Sequence, residues 1–152
     1  MKKHPLLAFL FVVLSVLSLA SCGNDDDDDK DPSKRALLTG GEWKGQMVLF
    51  DGVDYSDSLE AVGLDVSNFR LLFKDDGTGT SNFLGQTSNG SWEFGSNEQS
   101  IIFGKGTADE SQATIKKLTA TELYLEFAAD ELGANDPNDP VQVEKVEMRF
   151  GR

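Results

Sequence analysis

Thiol and imidazole side chains occur once each in this chain of 152 residues, as Cys22 and His4, both near the N-terminus. Nucleophilic triads, Cys–His pairs, and zinc, copper or haem sites with His or Cys ligands all need such groups. The residues beyond Cys22 therefore cannot build any of these sites. Because no organised nucleophile motif is found among the remaining groups, we expect no enzyme, no catalytic residue and no cofactor.

Acidic side chains are the most numerous reactive groups left. Some are adjacent and could transfer protons, and others recur at the short spacing of calcium ligands: these are Asp109/Glu110 and Asp130/Glu131 for proton transfer, and Asp51/Asp54/Asp57 and Asp136/Asp139 for calcium. Adjacent acids on a loop are usually solvated charge. Neither calcium set has the Gly at position six and the Glu at position twelve of an EF-hand, so we expect no metal site.

Cys22 ends the segment Leu19-Ala20-Ser21-Cys22, which closes an apolar run that begins at Leu6 and follows Met1-Lys2-Lys3. This is the pattern of a secretory signal, and the run is shorter than the roughly 20 residues of a membrane span. The four residues resemble the bacterial lipobox, in which cleavage before the Cys leaves its thiol thioether-linked to diacylglycerol. The resemblance implies a lipoprotein signal peptide over residues 1–21 and membrane lipid attached to Cys22. Each buried acyl CH₂ contributes about 0.8 kcal/mol, so several chains would hold the protein on a membrane.

Five aspartates follow the Cys closely: Asp25, Asp26, Asp27, Asp28 and Asp29. Such a run is typical of a solvated, self-repelling tether, here over residues 22–35. It also resembles the lipoprotein export signal of Bacteroidota. That resemblance implies a location on the outer membrane, facing the cell exterior.

The net charge of −12 is not confined to the tether, because residues 36–152 hold 20 acidic and 9 basic side chains. A domain of this charge repels phosphate backbones. We therefore expect no nucleic-acid partner.

From residue 36 onward, short apolar stretches alternate with clusters of Gly, Asn, Asp and Ser, which is typical of an antiparallel sandwich or barrel. The pattern predicts eight strands: 43–50, 69–73, 80–84, 91–94, 100–103, 113–118, 122–127 and 141–150. Asp76-Gly77 predicts a tight hairpin between the second and third. The apolar parity changes within the last strand, which predicts a β-bulge near Glu144-Lys145.

Three connecting segments carry further signals. A helical turn is expected at residues 34–38, and another at Ser58–Gly63 with Ser as its cap and Gly as its stop. The latter lies within a long connection over residues 51–66. Prolines and Asx residues predict turns over residues 128–140.

Eight antiparallel strands in sequence close most economically into an all-β, up-and-down barrel, which removes exposed sheet edges. Gly41-Glu42-Trp43 resembles the Gly-x-Trp of lipocalins. Together with the lipobox, the acidic tether, Asp-Asp-Gly-Thr, Gly-Ser-Trp and Ile-Lys-Lys-Leu-Thr, it resembles the small lipocalin-like lipoproteins of Bacteroidota. The resemblance implies a calycin-type barrel domain over residues 36–152 with the 51–66 loop as a lid. It also implies that Trp43 plugs one end of the barrel beneath an Arg, for which Arg149 is the candidate.

An eight-stranded barrel is just wide enough to fill with side chains or to hold one small ligand. The residues expected to point inward, and so to contact a ligand, are Phe69, Leu71, Phe73, Phe83, Trp92, Phe94, Phe103, Leu123, Leu125 and Phe127. The leading hypothesis is a non-catalytic, lipid-anchored surface protein whose barrel binds a small hydrophobic molecule. The alternative is a filled barrel whose rim loops act as a protein interaction or inhibitor module.

Overall fold

The computed structural model describes residues 31–83, 85–135 and 142–152. The predicted signal peptide, Cys22 and the five aspartates lie outside these ranges, as do Asp136 and Asp139. Residues 32–152 form one compact unit. In the part of the chain that is described, no helix is long and apolar enough to span a membrane.

This unit consists of antiparallel strands and a few short helices. The helices are α1 (Lys34–Thr39) and α2 (Ser56–Ala61), with single 3₁₀ turns at Val66–Asn68 and Ser96–Glu98. The strands are β1 (Trp43–Phe50), β2 (Val53–Asp54), β3 (Arg70–Phe73), β4 (Thr78–Phe83), β5 (Gln86–Phe94), β6 (Ser100–Phe103), β7 (Ser111–Leu118), β8 (Glu122–Ala128) and β9 (Lys145–Gly151).

The eight longer strands form a closed, antiparallel, up-and-down barrel in which each strand pairs with the next and β9 returns to β1. This confirms the predicted fold class. The burial pattern of β8 shows the underlying reason, because Leu123, Leu125 and Phe127 are buried and alternate with more exposed residues. A period of two places these apolar side chains on the single face that turns inward.

Strand β1 holds the barrel together through both of its edges. One edge pairs with β9 from Lys44 to Phe50, whereas the other pairs with β3 only at Trp43 and Lys44. Further along, that second edge pairs with β2. It also bonds to the residues after β2, since the Val48 carbonyl accepts from Tyr55 N–H (2.9 Å). The 51–66 connection therefore completes the barrel wall where β1 and β3 diverge.

The register of β1 against β9 shifts between Gly45 and Met47. A shift of one residue moves the inward face to the opposite parity. Trp43 consequently points inward at the start of β1, and Val48 and Phe50 point inward at its end. Gly45 permits the bend, because a Cβ there would overlap the carbonyl oxygen of Val66.

Several predicted local features are confirmed. The turn before β4 contains Gly77 with φ +80°, and Lys74 N–H donates to the Thr78 carbonyl (2.9 Å). Helix α1 forms where a helical turn was expected, with Ser33 Oγ accepting from Ala36 N–H (3.1 Å) as its N-cap. It includes Lys34 and Arg35, which the sequence analysis assigned to the tether.

Other local predictions were wrong. Strand β5 begins at Gln86, not after Asn89-Gly90, because the β4–β5 hairpin turns at Gly85 (φ +75°) and Asn89 pairs with Thr80 inside the ladder. Helix α2 begins at Ser56, two residues before the predicted cap. The bulge expected near Glu144-Lys145 is also not found, because β9 begins at Lys145 and pairs with β8 without a register shift. The bulges lie instead in β1 and in β7, between Ile115 and Lys117.

One end of the barrel, which we call the closed end, is filled by packed side chains beneath helix α1. Leu38 and Trp43 are fully buried there, and Trp43 Nε1 donates to the Leu38 carbonyl (2.9 Å). Phe73 and Trp92 meet edge to face with ring centroids 5.3 Å apart. The Arg35 guanidinium lies 4.7 Å from the Trp92 ring centroid, so the helix also covers the second Trp.

The cation over Trp43 is Arg152, not Arg149 as expected from the sequence. The Arg152 guanidinium lies 3.7 Å from the centroid of the Trp43 ring and donates to the Leu37 carbonyl. Arg149 lies on the outer surface, 4.7 Å from the Tyr124 ring and paired with Glu147 (2.6 Å). Side chains alternate between the two faces along β9, and Phe150 points into the core. Arg149 therefore points outward, whereas Arg152, two residues after Phe150, lies on the inner side.

We expect Arg152→Ala to lower the free energy of unfolding by about 1–3 kcal/mol, since it removes a cation–π contact and a charged hydrogen bond. Arg149→Ala is the matched control and should cost about 1 kcal/mol or less, because its partners are partly exposed. Urea unfolding followed by Trp fluorescence measures both values. Equal losses would show that Arg152 has no special part in closing this end.

Candidate functional site

A cavity of about 650 Å³ lies at the opposite end of the barrel, which we call the open end. We call this cavity the cup. Its described lining is apolar except for the hydroxyls of two serines. The lining residues are Val48, Phe50, Phe69, Phe83, Phe103, Phe127, Val146 and Met148 from or beside the strands, Leu59, Leu64, Leu132, Gly133 and Ala134 from connections, and Ser81 and Ser111.

Aromatic pairs shape the wall of the cup. Phe69 and Phe83 meet edge to face with centroids 5.1 Å apart, and Phe103 and Phe127 stack with centroids 6.1 Å apart. Rings held by such contacts have fixed positions. The strands therefore provide a firm apolar surface and a defined volume.

Two connecting segments cover the mouth of the cup. The first is α2 with the residues that follow it, which bring Leu59 and Leu64 over the cavity. The second is the 129–135 segment, which brings Leu132 and Ala134. Both positions were expected to be loops, and the first was expected to be the lid.

The α2 lid is tied to β1 by hydrogen bonds of one side chain. Ser56 Oγ accepts from Val48 N–H (3.1 Å) and donates to the Asp54 carboxylate (2.7 Å), which also accepts from Ser56 N–H (2.9 Å). These two donors, the hydroxyl first and then the N–H, hold the pKa of Asp54 below its usual value. The charged form of Asp54 therefore favours the observed position of the lid.

The 129–135 segment is fastened in a similar way. Asn135 bonds twice to Val143, with its side-chain oxygen accepting from the N–H and its nitrogen donating to the carbonyl, both at 2.8 Å. Ala134 N–H donates to the Ala129 carbonyl (2.9 Å). Each lid is thus closed by side-chain to backbone bonds at exposed or half-buried positions, which open more easily than a buried core.

The cup accounts for only some of the ten residues that the sequence analysis places inside the barrel. Phe69, Phe83, Phe103 and Phe127 line it. The other six belong to the hydrophobic core or pack against it: Leu71, Phe73, Trp92, Phe94, Leu123 and Leu125. Phe73 and Trp92 also line a second, more polar cavity of about 530 Å³ beside β4 and β5. The cup therefore occupies the open end, and the closed end is the more closely packed of the two.

Sequence reasoning missed the cup residues on β1 and β9, namely Val48, Phe50, Val146 and Met148. The sequence contains a signal for the two residues on β9. Val146, Met148 and Phe150 alternate along the strand and so share one face, and Phe150 on that face is fully buried. No signal in the sequence showed that β1 changes parity after Gly45, so Val48 and Phe50 could not be assigned together with Trp43.

Three of the acidic groups considered for catalysis or calcium accept hydrogen bonds from backbone N–H groups. Glu110 accepts from Gly106 N–H (2.6 Å), and Glu131 accepts from Gln112 N–H (3.0 Å). The Asp51 carboxylate accepts from the N–H groups of Glu144 (3.1 Å) and Lys145 (2.9 Å). Among the described residues, no three His, Cys, Asp or Glu side chains lie close enough together to hold a metal ion.

The fold and the cup together define an eight-stranded barrel with an apolar cavity at its open end. A solved crystal structure with a similar fold is that of a DUF4847 family protein from Bacteroides vulgatus, with a TM-score of 0.53, covering 78% of this chain and 96% of that chain. The two sequences are 13% identical, so the likeness concerns the fold. No family model and no curated protein matches the sequence.

We expect Ser56→Ala to raise the pKa of Asp54 toward its usual value of about 3.9, because both the hydroxyl donor and the fixed turn are disturbed. Since the folded pKa is the lower one, Asp54 stabilises the lid above its usual pKa, and this contribution is lost as the pH falls through the folded value. An NMR titration of the carboxyl groups measures the change.

Asp76 is the internal control for that titration. Hydrogen bonds from the Thr78 hydroxyl and N–H lower its pKa in the same manner, in the β3–β4 turn. Ser56→Ala should leave Asp76 unchanged and should speed amide exchange at Val48, whose acceptor is removed. An unchanged Asp54 titration would contradict the proposed tie between lid and strand.

Proposed function

We propose that this domain is a non-catalytic binding module that holds one small hydrophobic molecule in the cup, on a protein tied to membrane lipid through Cys22. The supporting observation is the cup itself, a cavity of about 650 Å³ lined almost wholly by apolar side chains. Small-molecule sites typically have volumes of roughly 300–1,000 Å³ and an apolar lining with few polar groups. Burial of such a ligand stabilises the complex by about 25 cal/mol per Å² of apolar surface removed from water.

Unequal filling of the barrel supports a ligand site rather than a scaffold. Six of the ten expected interior side chains belong to the hydrophobic core or pack against it. The open half instead leaves space between four phenylalanines. Protein interiors are otherwise close-packed, and an empty apolar volume forfeits dispersion contacts. A ligand would restore those contacts.

Lys34 donates to the Glu98 carbonyl (2.8 Å) and Arg35 donates to the Asp75 carbonyl (2.9 Å), so α1 is fastened across the closed end. The proposed location rests on the sequence that follows Cys22. The run of five aspartates there resembles a lipoprotein export signal, and this resemblance supports an outer-membrane protein that faces the cell exterior.

A protein interaction module remains the second candidate, because apolar side chains are exposed beside the mouth. Val53 is 60% exposed and Val62 is 72% exposed, and both lie in the 51–66 connection. Exposed apolar patches commonly mark binding surfaces. The alternative assumed a filled barrel, whereas the barrel is filled only in its closed half.

Filling the cup should abolish ligand binding if the cup is the site. Ser81→Trp places an indole in the cavity, and Asn82→Trp places one on the outer face of the same strand as the matched control. We expect the uncharged fluorophore N-phenyl-1-naphthylamine to bind the parent protein and Asn82→Trp, and to bind Ser81→Trp at least about tenfold more weakly, a difference of about 1.4 kcal/mol. Ser111→Trp, on a different strand, should act like Ser81→Trp. Equal binding by all four proteins, or none by the parent, would contradict the proposal.

Replacing Cys22 tests the anchor. We expect Cys22→Ser to remove the acylated thiol, so that the protein leaves the membrane fraction when expressed with its own leader in a bacterium that processes lipoproteins. Lys44→Ser, on the exposed face of β1, is the control that should stay in the membrane. Intact mass spectrometry should show the added acyl mass only where Cys22 is present. Membrane retention of Cys22→Ser without acyl mass would contradict lipid anchoring at this residue.

A further inference from the structure

The described residues of the cup offer no partner for a charged group. Its polar side chains are two hydroxyls, from Ser81 on β4 and Ser111 on β7, and every other described side chain in its lining is apolar. An ionised group buried without a counter-charge loses its hydration with no compensation. Two hydroxyls can bond to a single hydroxyl, carbonyl or amine of a ligand, but they cannot neutralise a carboxylate.

Acidic side chains lie on the segments that border the mouth of the cup. Glu60 follows Leu59 in α2. The Glu131 carboxylate bonds to Gln112 N–H, next to Ser111. The Asp51 carboxylate accepts from Lys145 N–H (2.9 Å), and these two residues are next in sequence to the lining residues Phe50 and Val146. Three separate segments thus bring negative charge beside lining residues.

Three basic residues stand next to lining residues in the sequence, and each is paired with an acid: Arg70 with Glu42, Lys145 with Glu126 and Arg149 with Glu147. Lys105 pairs with Glu93. The two segments that cover the mouth, 51–66 and 129–135, hold seven acidic and no basic side chains. This excess of negative charge lowers the local concentration of anions and raises the cost of bringing one in.

We propose that the cup is selective for uncharged ligands and rejects anionic amphiphiles such as ionised fatty acids. This inference rests on the proposed function and adds the charge of the ligand to it. The apolar wall selects the hydrophobic body of the ligand. The acidic rim and the absence of a cation in the described lining select against an anionic head group.

Two fluorophores with the same ring framework test this selectivity. N-phenyl-1-naphthylamine is uncharged, whereas 1-anilinonaphthalene-8-sulfonate carries one sulfonate. We expect the uncharged compound to bind at least tenfold more tightly at low salt. Raising the salt concentration should reduce the difference in affinity between the two compounds. Salt screens the acidic side chains beside the mouth, but it does not change the cost of burying the sulfonate in the cup.

Removing negative charges beside the mouth distinguishes their effect on sulfonate binding from the effect of the apolar lining. The double variant Glu60→Gln with Glu131→Gln retains an acceptor for Gln112 N–H and should tighten sulfonate binding several-fold, without changing the affinity of the uncharged compound. Glu98→Gln, at the closed end, is the matched control and should change neither affinity. Equal affinity of the parent for both fluorophores would overturn the charge selectivity while leaving the proposed function intact. Failure of both to bind would overturn the two together.

Discussion

The structure depends on one strand, β1, which must pair with β9 along its length while leaving β3 after two residue pairs. Closure through β9 removes the free edges of the sheet. The bulge after Gly45 allows the same strand to place Trp43 in the packed end and Val48 in the cup. Divergence from β3 opens the wall, and the 51–66 connection fills that opening with β2 and α2. The plug, the cup and the lid thus follow from one bent strand.

The two ends of the barrel differ in how their backbone groups are satisfied. At the closed end, Trp43 Nε1 donates to the Leu38 carbonyl at a buried position, and the exposed Arg152 guanidinium donates to the Leu37 carbonyl, so the Trp43 contacts join α1 to Arg152. At the open end, the lids are held by Asp54, Ser56 and Asn135, whose hydrogen bonds lie at exposed or half-buried positions. Segments held by such bonds open locally more easily than a buried core.

The fold decides where the negative charge of the domain lies relative to the cup. A net charge of −12 in the sequence indicates repulsion of polyanions in general. The fold brings part of that charge, on the segments 51–66 and 129–135, beside an apolar cavity that has no cation in its described lining. Under the proposed function, the acidic segments and the apolar cup would together restrict the ligand more than either would alone.

The sequence by itself determined the all-β architecture, the strand count of the barrel and the Asp-Gly hairpin, because alternation of apolar residues and turn chemistry are local properties. It also placed Phe69, Phe83, Phe103 and Phe127 on the inward face. The alternation of side chains along a strand assigns a residue to a face of the sheet but not to a position along the barrel axis. It therefore could not distinguish these four cup residues from Leu123 and Leu125, which lie in the core.

Only the tertiary structure decided which half of the barrel is hollow, which Arg covers Trp43, and that the 129–135 segment joins the 51–66 connection in covering the mouth. Parity changes at a bulge, and the bulge after Gly45 arises from close contact with Val66, a residue distant in the chain. Arg152 reaches Trp43 because β9 pairs with β1, a contact between the two ends of the domain. Such features depend on how distant segments meet, which local patterns do not specify.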